Sequence, residues 1–313
     1  MLSDEGSPTV HSLVECVASL GGEAQVLSTR CLPGGGRLSL GTKGAGVRVG
    51  DSWIWLEDCR GIWHWHAETP QADNADPEIA RYVRREWELA IRGLASLSPE
   101  RIWVNHPFRA EWLEGNKLAQ MKLAREAGFD VPPTLLSNDP DEIVPFSEAF
   151  DQVAVKSQGG AWRRMPDGKM AVAYTQRCTS DELDANRDAL GQAPVMVQPY
   201  LEKAYELRVT VMDEAVFICR IDSQATERTE VDWRHDVSAV PHRLLQPSPA
   251  EHSRFKRLMR AVGLRYAAID LICTPDDRTY FLDLNPQGQF GWVEALTGAP
   301  IRSALAKGLL RGR

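Results

Sequence analysis

Long apolar runs are missing from this chain. No segment approaches the roughly 18 residues that a membrane-crossing helix needs, so no membrane partner is expected. The opening residues MLSDEGSPTV have neither the basic start nor the apolar stretch of a secretory signal. Cysteine is sparse: Cys16, Cys31, Cys59, Cys178, Cys219 and Cys273 are scattered with no C-x-x-C pair. That excludes a disulfide framework and a cysteine zinc site, and reads as small buried hydrophobes in a reducing cytoplasm. A surplus of positive charge is also lacking. A net charge of −7 does not supply the basic face that nucleic-acid phosphates require, while leaving room for a local basic pocket. There is no internal repeat and no long low-complexity segment.

What is present is ordinary globular material, 43% hydrophobic and 25% charged. The 313 residues exceed one compact core and suggest about two domains. Residues 10–66 read as α/β material. Gly36…Gly41-Thr42-Lys43-Gly44 has the glycines of a phosphate loop, but Thr precedes Lys and a β-like stretch follows, so that reading is rejected. Trp63-His64-Trp65-His66 alternates as a strand end does, a simpler reading than a two-histidine metal site. Asp76-Pro77 opens a helix carrying the stripe Ile79, Val83, Trp87, Ala90, Ile91 and Leu94. A second helix runs from Lys117 to Ala127 and ends at Gly128. Gln152–Lys156 reads as a buried strand entering Ser157-Gln158-Gly159-Gly160. Ser180 is expected to cap a short helix stopped by Gly191. Val195–Gln198 reads as a strand, and Glu206–Met212 with Ala215–Asp222 as a hairpin about Asp213-Glu214. A Ser248…Glu251 capping box opens a helix that Gly263 closes.

The most informative segment is AAIDLICTPDDRTYFLDLNPQG. As a hairpin in which Thr274 pairs with Thr279, it sets Asp270 opposite Asp283, with Asn285 on the same face as Asp283. Two facing carboxylates repel unless a hard cation lies between them, and this all-oxygen donor set suits Mg2+. Lys156, at the end of VAVK before a glycine loop, is placed to meet a phosphate chain. Lys117 begins a helix, where a cation opposes the helix dipole unless an anion is also bound. Gln198-Pro199-Tyr200-Leu201 leaves a strand at a proline and exposes backbone groups beside apolar side chains, as a flat heteroaromatic base requires. Arg208 and Arg220 lie on one hairpin. A strict two-residue turn puts them on opposite faces and one more loop residue unites them; the sequence leaves both open.

In this order these elements, with YVRREWELAIRGL, WVNHP, QMKLAREAGFDVPPTLLSNDP, YELRVTVM, IDSQ, VDWR and LDLNPQGQFGWVE, resemble the ATP-grasp superfamily. The finer resemblance, over residues 78–313, is to the microviridin-type ligases that macrocyclise ribosomal peptides (graspetide synthetases). It implies an α/β (α+β) fold: an N-terminal α/β pre-ATP-grasp domain at 1–112, then a two-subdomain ATP-grasp fold with antiparallel sheets, the small subdomain at 113–199 and the metal-bearing one at 200–313. It implies ATP and Mg2+ as cofactors, with Lys117 and Lys156 on the α- and β-phosphates. Gln198, Tyr200 and Leu201 belong to the adenine hinge, and Glu206 meets the ribose. Arg208, Arg220 and Arg234 are the candidate catalytic cations, and Asp270, Asp283 and Asn285 the metal ligands. Many such sites have Glu where Asp283 stands, one methylene longer. The N-terminal third departs from the family, which commonly carries an arginine pair and a proline after a strand-borne Trp, where this chain has Trp63-His64-Trp65-His66-Ala67-Glu68-Thr69-Pro70.

The implied activity is ligation of Asp or Glu side chains of a ribosomal precursor peptide, leader plus core, to a hydroxyl or amine. A homodimer is the expected assembly, and Leu135–Phe150, read as irregular, is the candidate leader surface. The alternatives are a ligase for a small amino acid or free peptide, a nucleotide-binding regulatory protein, and a kinase.

Overall fold

In this computed structural model the described residues are 1, 3, 6–42, 44–49, 51–98, 102–158, 162–164, 170–172, 175–230 and 232–311. The N-terminal third starts with helix α1 (Pro8–Ser19) and the single turn α2 (Leu32–Gly35). Strands β1 (Arg37–Gly41), β2 (Gly44–Val49) and β3 (Ser52–Trp55) follow as an antiparallel meander, so the glycine-rich stretch is a hairpin and no phosphate loop. Strand β4 (Ile62–Trp63) pairs in parallel with β5 (Trp103–Val104) through the crossover helix α3 (Pro77–Leu97), capped by Asp76. Helix α4 (Pro107–Leu113) leads to α5 (Lys117–Glu126), which Asn116 caps.

A small antiparallel sheet comes next, in the order β10-β7-β11-β6: β6 (Leu135–Ser137), β7 (Val153–Lys156), β10 (Gln176–Cys178) and β11 (Val195–Pro199). Strands β8 (Trp162–Arg164) and β9 (Met170–Val172) form a separate hairpin. Helices α6 (Pro140–Glu148), α7 (Ser180–Asp184) and α8 (Arg187–Leu190) close one side of this sheet around Ile143, Val153, Leu183 and Val197. Two expectations are corrected here. The stretch Leu135–Phe150 is regular: β6, then a helix that Asp139 caps. The cap of α7 is Thr179, because Glu182 stands three residues on and completes a capping box with it.

The C-terminal sheet is the larger, in the order β14-β13-β12-β15-β16 and antiparallel throughout. Its strands are β12 (Tyr205–Met212), β13 (Ala215–Ile221), β14 (His242–Leu245), β15 (Tyr266–Cys273) and β16 (Thr279–Asn285). The turn α9 (Glu227–Glu230) lies between β13 and β14, and α10 (Pro249–Val262) opens on the Ser248 capping box and ends at left-handed Gly263. Helices α11 (Gly291–Thr297) and α12 (Ile301–Leu310) end the chain. One face of the sheet, with Leu207, Val209, Val211, Ile269, Leu271 and Phe281, packs under α5 and α10. The other face is covered at one end by α1, α11, α12, Trp63 and Trp65, and is left open at the other, where it meets the small sheet.

Asn105 ties the N-terminal part to this sheet. Its buried amide donates to the carbonyls of Tyr266 (2.7 Å) and Pro286 (2.9 Å) and accepts from the backbone N–H groups of Arg265 (3.0 Å) and Tyr266 (2.9 Å). Each buried group stripped of its partner costs about 1–3 kcal/mol. Asn105→Ala should therefore lower the thermal unfolding midpoint by roughly 5–10 °C, as measured by circular dichroism; an unchanged midpoint would show that these bonds contribute nothing net.

Candidate active site

Across the open face of the large sheet runs one row of opposed residues: Cys219, Arg208, Asp270 and Asp283. The carboxylates face each other as the sequence suggested, but by another route. Cys273, and not Thr274, pairs with Thr279, and a β-bulge past Leu271 takes up the extra residue Leu282. The bulge lets Phe281 and Leu284, three residues apart, both point into the helix-covered core, while Asp283 and Asn285 turn to the open face. Gln120 of α5 secures it, accepting from the Leu284 N–H at 3.0 Å and donating to the Leu113 carbonyl at 2.8 Å.

Each acid is met by a base. Both Asp270 oxygens accept from Arg208 Nη1, at 2.9 and 3.0 Å, and Asp283 accepts from Lys117 Nζ. Burial works against the Arg208 charge, and Asp270 outweighs it, so the pKa rises. Its Nε is buried with no partner among the described residues, a free donor of the kind an anionic ligand satisfies.

Opposite this row stands the small sheet. Lys156, at the end of β7, donates to Gln198 Oε1 at 3.0 Å, and Gln198 Nε2 donates to Thr134 at 2.9 Å. Gln198 thus aims the lysine. Loss of water pulls the Lys156 pKa down from the ordinary lysine value to about 8, with Asp283 and Glu206 opposing the change. The cleft of about 420 Å³ between the sheets is lined by Lys117, Lys156, Gln198, Tyr200, Leu201, Glu206, Arg234, Asp270, Asp283 and Asn285. Met196, Ile272 and Leu282 add apolar surface. Burial raises the Glu206 pKa, countered by Lys203, which donates to it at 2.8 Å. Arg234 is held by Asp232, its Nε donating at 2.7 Å, and those bonds raise its pKa.

Arg220 is not brought to the cleft. Met212 pairs with Ala215 across the strict two-residue turn, so Arg220 lies opposite Leu207 on the other face. There it stacks 3.7 Å over the Tyr205 ring and donates to Asp222 at 2.6 Å. Gly159 and Gly160 lie outside the described residues. Gln120 and Thr134 carry no mark in the sequence, since each acts through contacts distant in the chain. Only Lys203, three residues before Glu206, left a local trace.

The donor set of Asp270, Asp283 and Asn285 fits a hard divalent cation, being all oxygen and gathered on one face. Among the described residues no group of three acidic, histidine or cysteine side chains could hold a metal. Two carboxylates and an amide therefore make a partial shell, of the kind completed by phosphate oxygens.

A cleft between two antiparallel sheets, with lysines from one side facing carboxylates on the other, is the ATP-grasp arrangement, and the chain has the ATP-grasp fold. It is similar to the macrocyclase MdnC from Microcystis aeruginosa, solved with the precursor peptide MdnA: 26% identity, 98% of this chain and 97% of that one covered, TM-score 0.83. It is also similar to a Chryseobacterium gregarium RiPP-associated ATP-grasp ligase, solved with ADP and a leader and core peptide: 25% identity, 98% and 94% covered, TM-score 0.87. The ligase PsnB, solved with Mg, ADP and a phosphomimetic variant of a minimal precursor, shares the fold at 24% identity, 99% and 96% covered, TM-score 0.80. No family model matches the sequence, and no curated protein matches it.

The lowered Lys156 pKa gives binding a pH dependence. Below about pH 8 the lysine is charged; a bound phosphate favours that form, so binding takes up a proton above this pH. Affinity for ADP should fall as pH rises through 8, and Lys156→Ala should lose that dependence along with roughly 1.5–3 kcal/mol of binding. Calorimetric titration of both proteins at about pH 7 and about pH 9 tests this; a flat wild-type profile would remove Lys156 from the phosphate site.

Proposed function

We propose that the protein is an ATP-dependent, ADP-forming ligase that activates Asp or Glu side chains of a ribosomal precursor peptide as acyl-phosphates and joins them to hydroxyls or amines. In this reading it works in the cytoplasm as a homodimer. Residues 1–112 form the N-terminal domain, 113–199 the small subdomain and 200–313 the subdomain that holds the metal. The observation that carries the reading is the cross-strand pair of Asp270 and Asp283, faced by Lys156 within one cleft. Likeness to peptide ligases over nearly the whole chain supports the substrate class.

A carboxylate has no usable leaving group, so it must be activated. Lys117 and Lys156 hold the α- and β-phosphates, and the apolar strip beside Gln198–Leu201 takes adenine, with Glu206 at the ribose. The substrate carboxylate attacks the γ-phosphorus, ADP departs, and an acyl-phosphate forms. Arg208 and Arg234 offset the charge that gathers on the transferring group. A hydroxyl or amine then attacks the acyl carbon, inorganic phosphate leaves, and an ester or amide remains. Asp270, Asp283 and Asn285 would hold Mg2+, which would supply neutralisation of the phosphate charge. No enzyme nucleophile is required.

Asp270→Asn and Asp283→Asn should each abolish ATP turnover in folded protein, and Asn285→Ala should be milder because a neutral amide contributes less to a cation. Near-normal turnover by both acid variants at ordinary Mg2+ would refute the site. With ATP, Mg2+ and a peptide encoded beside the gene, the peptide should lose the mass of one water per bond formed. Equal processing of leaderless and unrelated acidic peptides would favour the small-substrate ligase, and phosphate retained on the product would identify a kinase.

A further inference from the structure

The second half of the reaction releases a proton. A hydroxyl or amine that attacks the acyl carbon sheds its hydrogen as the bond forms, and a base within reach speeds that step. Among the described residues no histidine or cysteine lines the cleft, and five carboxylates do: Glu114, Glu206, Asp232, Asp270 and Asp283. Four are engaged by a base, Glu206 by Lys203, Asp232 by Arg234, Asp270 by Arg208 and Asp283 by Lys117. A carboxylate beside a cation is held in its charged form and accepts a proton poorly. Glu114 differs from the other four. Its side chain makes no hydrogen bond or ion pair among the described residues, and it is exposed where they are buried or half-buried.

The backbone on either side of Glu114 is fixed. Its N–H ends α4 by donating to the Ala110 carbonyl at 2.9 Å, and the Leu113 carbonyl accepts from Gln120. Gly115 then turns the chain in the left-handed region (φ +75°) toward the Asn116 cap of α5. The carboxylate is thus delivered to the cleft from a rigid turn. It stands on the side of Asn285 and Pro286, near His66, whose N–H holds Gln287; burial lowers the His66 pKa and Glu114 opposes the fall. Arg208 reaches the same loop through the Gln289 carbonyl at 3.3 Å. We infer that Glu114 is the base that receives the proton of the incoming hydroxyl or amine. This role presupposes the ligase reading above and belongs to its second step. The nucleophile bonds the acyl carbon, the carbon–oxygen bond to phosphate breaks with its electron pair going to phosphate, and the proton passes to Glu114 and then to solvent.

Hydroxylamine separates the two steps, because it captures an acyl-phosphate as a hydroxamate without needing a base. With ATP, Mg2+ and the peptide encoded beside the gene, Glu114→Gln should slow cross-linking roughly a hundredfold relative to hydroxamate formation. Glu114→Asp should lose less. Formate, a small carboxylate that fits the space left in Glu114→Ala, should raise cross-linking by that variant about tenfold. Glu111→Gln, one turn earlier in α4 and paired with Arg92, should leave the ratio as it is. A wild-type ratio in Glu114→Gln would overturn the role and leave the ligase standing, with the departing phosphate taking the proton. A slowed Glu114→Ala that formate does not restore would make Glu114 a structural residue and overturn the role equally. Failure of the wild type to form hydroxamate would remove the ligase reading itself, and this role with it.

Discussion

Two carboxylates placed opposite each other on adjacent strands are the constraint around which this protein is arranged. Like charges at that spacing oppose folding, and the fold answers with one base for each acid: Arg208 from the neighbouring strand for Asp270, Lys117 from α5 for Asp283. These bases are also the groups that anionic phosphates recruit. The cleft is neutralised by its own cations, and in the proposed function entry of a nucleotide with its metal would be an exchange of partners. The phosphates would draw the bases and a divalent cation would take the acids, so that neither carboxylate would be left uncompensated at either stage. Such an exchange favours joint binding of metal and nucleotide over either alone.

The exchange needs both sets of groups held in register. Gln120 does this on one side, by bonding the bulged strand to the helix that begins with Lys117. On the other side the loop after Asn285 is pinned to the N-terminal part. Asn105 holds Pro286, the backbone of His66 donates to Gln287, and the Tyr266 hydroxyl donates to the Gly288 carbonyl. Gly288 itself allows no side chain: a Cβ there would lie 2.2 Å from Cβ of Ala268 and 2.9 Å from Nη2 of Arg208. The N-terminal part therefore acts on the strand that bears Asp283 and Asn285 through the loop that follows it, without lending a side chain to the described lining of the cleft.

Much of this was written locally in the sequence. Alternation along YELRVTVM and AAIDLIC, the Ser248 capping box and Gly263 are short-range signals, and short-range physics decides them. The facing of Asp270 and Asp283 was legible too, although the bulge was not: a one-residue insertion leaves no trace until Phe281 and Leu284 are seen to need the same core. Arg208 and Arg220 could not be separated before the turn at Asp213-Glu214 fixed their register. The cap of α7 is legible in T-S-D-E, because Glu182 stands three residues after Thr179 and closes the capping box with it, not with Ser180. Gln120, Asn105 and Thr134 were beyond reach, since their partners lie far along the chain and no local pattern marks a buried amide or hydroxyl that serves a distant loop.

The central claim is that this cleft activates a peptide carboxylate with ATP. The most direct test follows oxygen. A precursor peptide with its Asp and Glu side-chain carboxylates labelled with heavy oxygen is incubated with the protein, ATP and Mg2+, and the released phosphate is weighed. Passage through an acyl-phosphate leaves one carboxylate oxygen on phosphate, so the account predicts one heavy oxygen in phosphate for each bond formed. Unlabelled phosphate alongside cross-linked peptide would contradict it.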